Sequence, residues 1–178
     1  VTEIEHTVFL GVWGNKGPTI VYRIEGGLSQ PLLGLKLGSV LPLLSSALGR
    51  NFLAHLPEAR TQSLIDSETD GKVSGVITGL HRNYNIKDIE QIRSEVLKYK
   101  ISRCRDALLP NFTSLSAPIF DMSNEMIAGL TVMGMSNVLN DDLQGSIAQL
   151  IIEKANQISY QAGWPGFINA ETEDKQTP

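Results

Sequence analysis

The sequence predicts an α/β fold of the α+β kind, a sheet assembled from hairpins and covered by helices. Two stretches predict it. From Ser116 to Trp164 two extended runs flank the polar turn Met122 to Glu125, and a long helical pattern follows. From Thr7 to Glu25 a second pair of extended runs flanks Asn15-Lys16-Gly17-Pro18, which is turn chemistry.

In the first hairpin Val8, Leu10 and Val12 alternate onto one face and Phe9 onto the other. Glu25-Gly26-Gly27 ends it, and Leu32 to Leu37, between Pro31 and Gly38, reads as a short third strand. A helix is expected from about Ser45 to Leu56, capped by Ser45 or Ser46 and stopped by Pro57. Its inward stripe is Leu48, Phe52, Leu53 and Leu56. Gly49 inside it implies a close approach, either to a neighbouring strand or to a ligand. Glu58 to Asp66 reads as a short helix and Ser67 to Tyr84 as turn-rich. Asn85 caps a helix to about Lys98 with Ile89, Ile92, Val96 and Leu97 inward, and Ile101 to Phe112 reads as irregular.

In the second hairpin Ala128, Leu130 and Val132 form a core face. Gly129, Thr131 and Met133, small or polarisable, suit a wall facing a cavity. The closing helix is expected to bury Leu143, Ile147, Leu150, Ile151, Ile158 and Ala162. Asn140 is its expected N-cap, Asp141 and Asp142 suit its positive end, and Gly163 before Trp164-Pro165 stops it.

At 178 residues the chain is expected to form one domain, residues 1–168, with 169–178 as a polar, disordered tail. No apolar run approaches the roughly 20 residues of a membrane span, and the start carries no signal-peptide pattern. The lone cysteine, Cys104, points to a reducing cytoplasm. A formal net charge of −4 argues against this piece gripping a phosphate backbone by itself.

Chemistry is sparse. His6, His55 and His81 are scattered and none pairs with Cys104 at metal-ligand spacing, so no metal or cofactor is expected. Cys104 beside Arg103 and Arg105 has cations that would lower a thiol pKa, yet the pattern holds no base for it. It reads as a small side chain lining a packed or liganded interior. Gly11, Gly14 and Gly17 open no helix, so there is no dinucleotide or phosphate loop. An enzyme is not expected.

The run Gly38-x-x-x-Pro42-Leu-x-Ser45-Ser-x-x-Gly49-Arg50-x-Phe52-Leu53-Ala54-x-Leu56-Pro57 resembles the signature of IclR-type transcription regulators. The helix reaching Tyr99, the segment Ala117-Pro118-Ile119-Phe120-Asp121 with Ala128 to Gly134, and Ile158 to Gly163 resemble further family elements in the same order. The resemblance implies the C-terminal effector-binding domain. Its fold is GAF-like, a central antiparallel sheet of about five to six strands with helices on one face and a ligand pocket on the other. It also implies a homodimer or homotetramer, and operator DNA bound as repressor or activator through an N-terminal winged helix-turn-helix absent from this chain.

Carried over by position, the resemblance places the ligand site at Ala47 and Leu48, Phe112 and Ser114, Thr131 and Met133, and at Ser102 or Cys104. The family's acidic run after Gly-Tyr is here Ser102-Arg103-Cys104-Arg105-Asp106, the Gly-Tyr itself is Lys98-Tyr99, and a frequent histidine is Leu44. The implied ligand is a small organic acid with an apolar or aromatic body, its carboxylate at the helix start or on Arg103 or Arg105. The alternative is an oligomerisation module whose pocket its own side chains fill, which Leu44, Leu48 and Met133 favour.

Overall fold

A computed structural model describes residues 6–26, 34–70 and 83–166. The tail, His81, Gly27, Leu32 and most of the turn-rich stretch lie outside them. Elements follow the order β1 (Thr7–Gly14), β2 (Gly17–Ile24), α1 (Ala47–His55), α2 (Glu58–Thr69), α3 (Ile86–Tyr99), β3 (Ser102–Arg105), β4 (Phe112–Phe120), β5 (Met126–Met135) and α4 (Ser146–Gln161). The strands form one five-stranded sheet in the order β2-β1-β5-β4-β3, with every neighbouring pair antiparallel.

Helices cover both faces of the sheet. On one, Leu115, Ala117, Ile119, Ala128, Leu130 and Val132 pack against Ala148, Ile151 and Ala155 of α4. On the other, Phe9 and Met133 share a cluster with Leu48 and Phe52 of α1. Leu43, Leu44 and Leu53 meet Ile65 of α2 and Ile89 of α3 in a satellite cluster. The two faces of β5 are therefore divided as alternation predicts.

Several local expectations shift. The described part of the expected third strand, 34–37, is not extended pairing. The edge of β2 is instead met just downstream, where Val40 bridges Thr19 and the Ile20 N–H donates to the Ser39 carbonyl at 3.0 Å. α2 runs on to Thr69, three residues past Asp66. Leu97, expected inward, is exposed, because α3 turns Ile89 and Val96 to the core and Leu97 lies off that line. Residues 102–105, expected irregular, form the edge strand β3 on β4.

α4 starts at Ser146 with Gly145 as N-cap, so Asn140 does not cap it. Asn140 Oδ1 accepts from the Asp142 N–H in a local turn. Asp141 is buried, accepting from Arg105 Nε at 2.9 Å and from Thr113 Oγ1 at 2.7 Å, so it ties β3 and β4 together rather than facing a helix end. The buried line of α4 is Ala148, Ile151, Ala155 and Ser159, whereas Ile158 is exposed and Ile147 and Leu150 are only half-buried. Small residues on the inner line let the helix lie close to the sheet. The stop is as expected: Gly163 (φ +89°) turns the chain, and Trp164 stacks on Phe120 and donates through Nε1 to Asn124 Oδ1 at 2.7 Å.

Candidate functional site

α1 approaches the sheet through a loop held by several side-chain hydrogen bonds. Ser46 caps it, its Oγ accepting from the Gly49 N–H at 2.9 Å and donating to the Pro42 carbonyl at 2.6 Å. The Glu68 carboxylate at the end of α2 accepts from the N–H groups of both Leu43 and Leu44. Burial pushes the Glu68 carboxyl above its ordinary value, and those two N–H groups pull it partway back. Gly49 is needed because a Cβ there would lie 2.3 Å from the Pro42 carbonyl oxygen and 2.5 Å from that of Leu43. The close approach is thus to the helix's own entry loop, neither to a strand nor to a ligand.

Beneath this helix the predicted site residues fall into two cross-strand rows. Cys104 of β3 pairs in register with Ser114 of β4 and that with Met133 of β5. One step along, Ser102 pairs with Ser116, Ser116 with Thr131, and Thr131 with Phe9 of β1. Ser102 Oγ donates to the Ala47 carbonyl at 2.5 Å and Cys104 Sγ to the Ser45 carbonyl at 3.0 Å, so both side chains grip the start of α1. Ser114 Oγ donates to the Cys104 carbonyl at 3.4 Å. All of these are buried except Phe112, which is half-buried.

Leu48 descends from α1 into a notch. Gly11 and Gly129 are register partners on β1 and β5, and a Cβ on either would come within 2.2 Å or 2.6 Å of a Leu48 methyl. Asn51, one turn on, donates through Nδ2 to Ser116 Oγ at 3.3 Å, and Thr131 Oγ1 donates to the same oxygen at 2.9 Å. Asn51 Oδ1 is buried and has no hydrogen-bond partner among the described residues. Position-by-position carry-over misses Asn51 and Ser116. Their spacing was the available signal, since Asn51 follows Ala47 by four residues on a helix and Ser116 follows Ser114 by two on a strand.

Arg103 and Arg105 do not join this patch. Alternation along β3 sends them the opposite way from Ser102 and Cys104, and Arg105 is held by Asp141. Among the clefts bounded by described residues, two lie elsewhere. One of about 490 Å³ lies between α3 and β3, and one of about 320 Å³ is lined by His55, Leu97, Lys100 and Phe120. Neither touches the rows beneath α1. Among the described residues no group of three or more His, Cys, Asp or Glu side chains converges as a metal site. None of their helices is long and apolar enough to cross a membrane.

A five-stranded antiparallel sheet with a helix start seated over a row of small polar side chains defines a GAF-like α+β domain. Comparison with known proteins makes this specific. The family model described as "Bacterial transcriptional regulator IclR C-terminal" matches residues 1–160, and the chain belongs to that family. This is a family of regulators, not of enzymes. Its fold is similar to that of Pseudomonas aeruginosa HmgR, with a TM-score of 0.78 and 29% identity over 91% of this chain and 61% of that one. The Thermotoga maritima IclR structure gives a TM-score of 0.74 at 22% identity, covering 91% of this chain and 63% of that one. Among curated proteins, the uncharacterized HTH-type transcriptional regulator RhmR of Escherichia coli K12 is 24% identical over 155 residues, 87% of this chain and 57% of RhmR. The chain thus spans about three-fifths of the length of these relatives.

Proposed function

We infer that this effector-binding domain senses a small organic acid with an apolar or aromatic body, held between the start of α1 and the rows Cys104–Ser114–Met133 and Ser102–Ser116–Thr131. The observation that carries this reading is the convergence of those side chains under a helix N-terminus, whose first N–H groups have no partner within the helix and favour an anion. Leu48, Phe112 and Met133 supply the apolar contact and Ser114 and Thr131 the polar one. A structural neighbour of the same fold, a double mutant of the PobR inducer-binding domain from Acinetobacter (16% identity, TM-score 0.70), was solved as a complex with 3-hydroxybenzoic acid. An aromatic acid is therefore within the reach of the fold.

In the whole regulator, ligand binding would bias one arrangement of domains over another through differential affinity. That regulator would be a cytoplasmic homodimer or homotetramer reading its operator through an N-terminal winged helix. A thermal-shift screen over aromatic and keto acids tests the ligand class. The expected result is a concentration-dependent rise in Tm that Thr131→Val reduces. The second reading, an oligomerisation module with a self-filled pocket, is favoured by the full burial of Leu48 and near-full burial of Met133. It predicts no shift with any acid and a sedimentation profile indifferent to all of them.

A further inference from the structure

The cleft between α3 and β3 has two opposed charged walls. On α3, Asp88, Ile92 and Glu95 follow one another at spacings of four and three, which puts them on one helix face. Across from them stand Arg103 and Arg105, with Arg50 beside them and with Asp106, whose Oδ1 accepts from Ser136 Oγ at 2.8 Å. Among the described residues no ion pair crosses the gap.

The hydrogen bonds sort these groups. Arg50 is a structural cation, donating to the Leu44 carbonyl (2.7 Å), the Arg103 carbonyl (2.7 Å) and the Tyr84 hydroxyl (3.3 Å). Arg105 is committed to Asp141 and to the Ser136 carbonyl. Asp88 has one carboxylate oxygen in the capping box of α3, accepting from the Asn85 N–H at 2.8 Å. Two groups are left over. The Arg103 guanidinium makes only a long contact of 3.5 Å to the Asp141 carbonyl, and Glu95 makes no hydrogen bond to a described residue. Both are half-buried, and both line the same cleft. Two half-buried groups of opposite sign, neither committed to a strong partner and both facing one open cleft, are free to be engaged by a ligand that carries both charges.

The geometry points to a second ligand site, for a free neutral α-amino acid. Its carboxylate is taken by the Arg103 fork, its ammonium by Glu95, and its side chain by Ile92, which lies one turn before Glu95 on the same helix face. A volume of about 490 Å³ accommodates such a molecule together with water. Two features separate this site from the one proposed beneath α1. It lies on the other side of β3, and it demands both charges of a zwitterion where the first demands an anion. The two sites meet at α1, where Arg50 joins the loop before the helix to β3. Occupancy of one is therefore placed to be felt at the other.

The test is calorimetry and thermal shift on this chain with the neutral L-amino acids at millimolar concentration. Each binder is compared with its deaminated acid and its decarboxylated amine, which for L-leucine are 4-methylpentanoate and 3-methylbutylamine. At least one amino acid should bind, with either half at least tenfold weaker. Arg103→Gln and Glu95→Gln should each weaken it tenfold or more without lowering the Tm of the free protein. The first leaves in place the backbone carbonyl that Arg50 uses. Arg103→Gln should also leave untouched any shift caused by an aromatic acid at the α1 site, so the two readings fail independently. Three outcomes overturn the proposal. No amino acid binds, or the acid half binds as well as the whole, making this a plain anion site. The third is that the two substitutions each lower Tm and couple without ligand, which means that the walls close on each other.

Discussion

Leu48 is seated in a notch that only two glycines can make, and the fit is tight enough to be tested by substitution. A methyl group on Gly129 would meet Leu48 Cδ1 at 2.6 Å and Ser116 Oγ at 3.0 Å. Gly129→Ala should therefore cost about 1–3 kcal/mol by overpacking. Leu48→Ala alone should cost about 2–5 kcal/mol by leaving a cavity. Together they should cost clearly less than their sum, because the smaller residue on α1 frees the space that the methyl needs. Urea denaturation of the four proteins gives the coupling, and strict additivity would show that Leu48 does not occupy the notch. The sequence carried Leu48 as both a core position of the helix and a site position by resemblance, and its structural place serves both. The notch was not legible in the same way. Gly11 and Gly129 become neighbours only through the pairing of β1 with β5, which are separated by most of the chain. Asn51 and Ser116 escaped for a related reason: each is unremarkable in its own element, and only their meeting makes a polar cluster.

Among the elements, those with strong local signals were readable and those held by distant partners were not. Both hairpins follow from alternation around turn residues, and the start of α3 follows from Asn85 as its N-cap. β3 carries no such signal. Its Ser-Arg-Cys-Arg is four residues long, and it is a strand because β4 offers an edge and Asp141 anchors Arg105. The inner line of α4 matches expectation at Ile151, with Ile147 packed at its margin, and departs from it where a close-lying helix needs the small residues Ala148, Ala155 and Ser159. α2 is held to the entry loop of α1 by Glu68, and this contact has a pH signature. Burial raises the Glu68 pKa in the folded state, so the folded chain binds more protons than the unfolded one above the ordinary carboxylate value. Its contribution is thus greatest at low pH and declines as pH rises through the raised pKa. Glu68→Gln removes this titration. The difference in Tm, wild type minus variant, should shrink as pH is raised from about 4 towards neutrality. His55, whose burial lowers its pKa, acts in the opposite sense, its contribution being lost as pH falls below its ordinary value. It is common to both proteins and cancels in that difference. A gap that widens with pH would mean that the two N–H donors outweigh burial at Glu68.

Over the whole molecule, the sheet separates two faces with different tasks. α4 closes one with a dry aliphatic layer around Ile151, Leu115 and Val132. The other carries the small polar rows and the start of α1. Residues on opposite faces of one strand share no side-chain contacts, so their effects on stability and on binding should separate. Ile151→Ala, on the α4 face, should cost about 2–5 kcal/mol through its cavity. At about 2–4 °C of Tm per kcal/mol for a domain of this size, the loss is readily seen. It should leave the stabilisation by a bound organic acid unchanged, because that term depends only on ligand concentration and affinity. Thr131→Val, on the α1 face, should cost less stability and instead weaken the response to ligand. Loss of its hydrogen bond to Ser116 costs about 1 kcal/mol, while the shift produced by the acid falls. Thermal melts of the three proteins across one ligand titration decide it. If Ile151→Ala abolishes the ligand shift while the variant remains folded, the faces are not independent and the acid is sensed through the whole sheet.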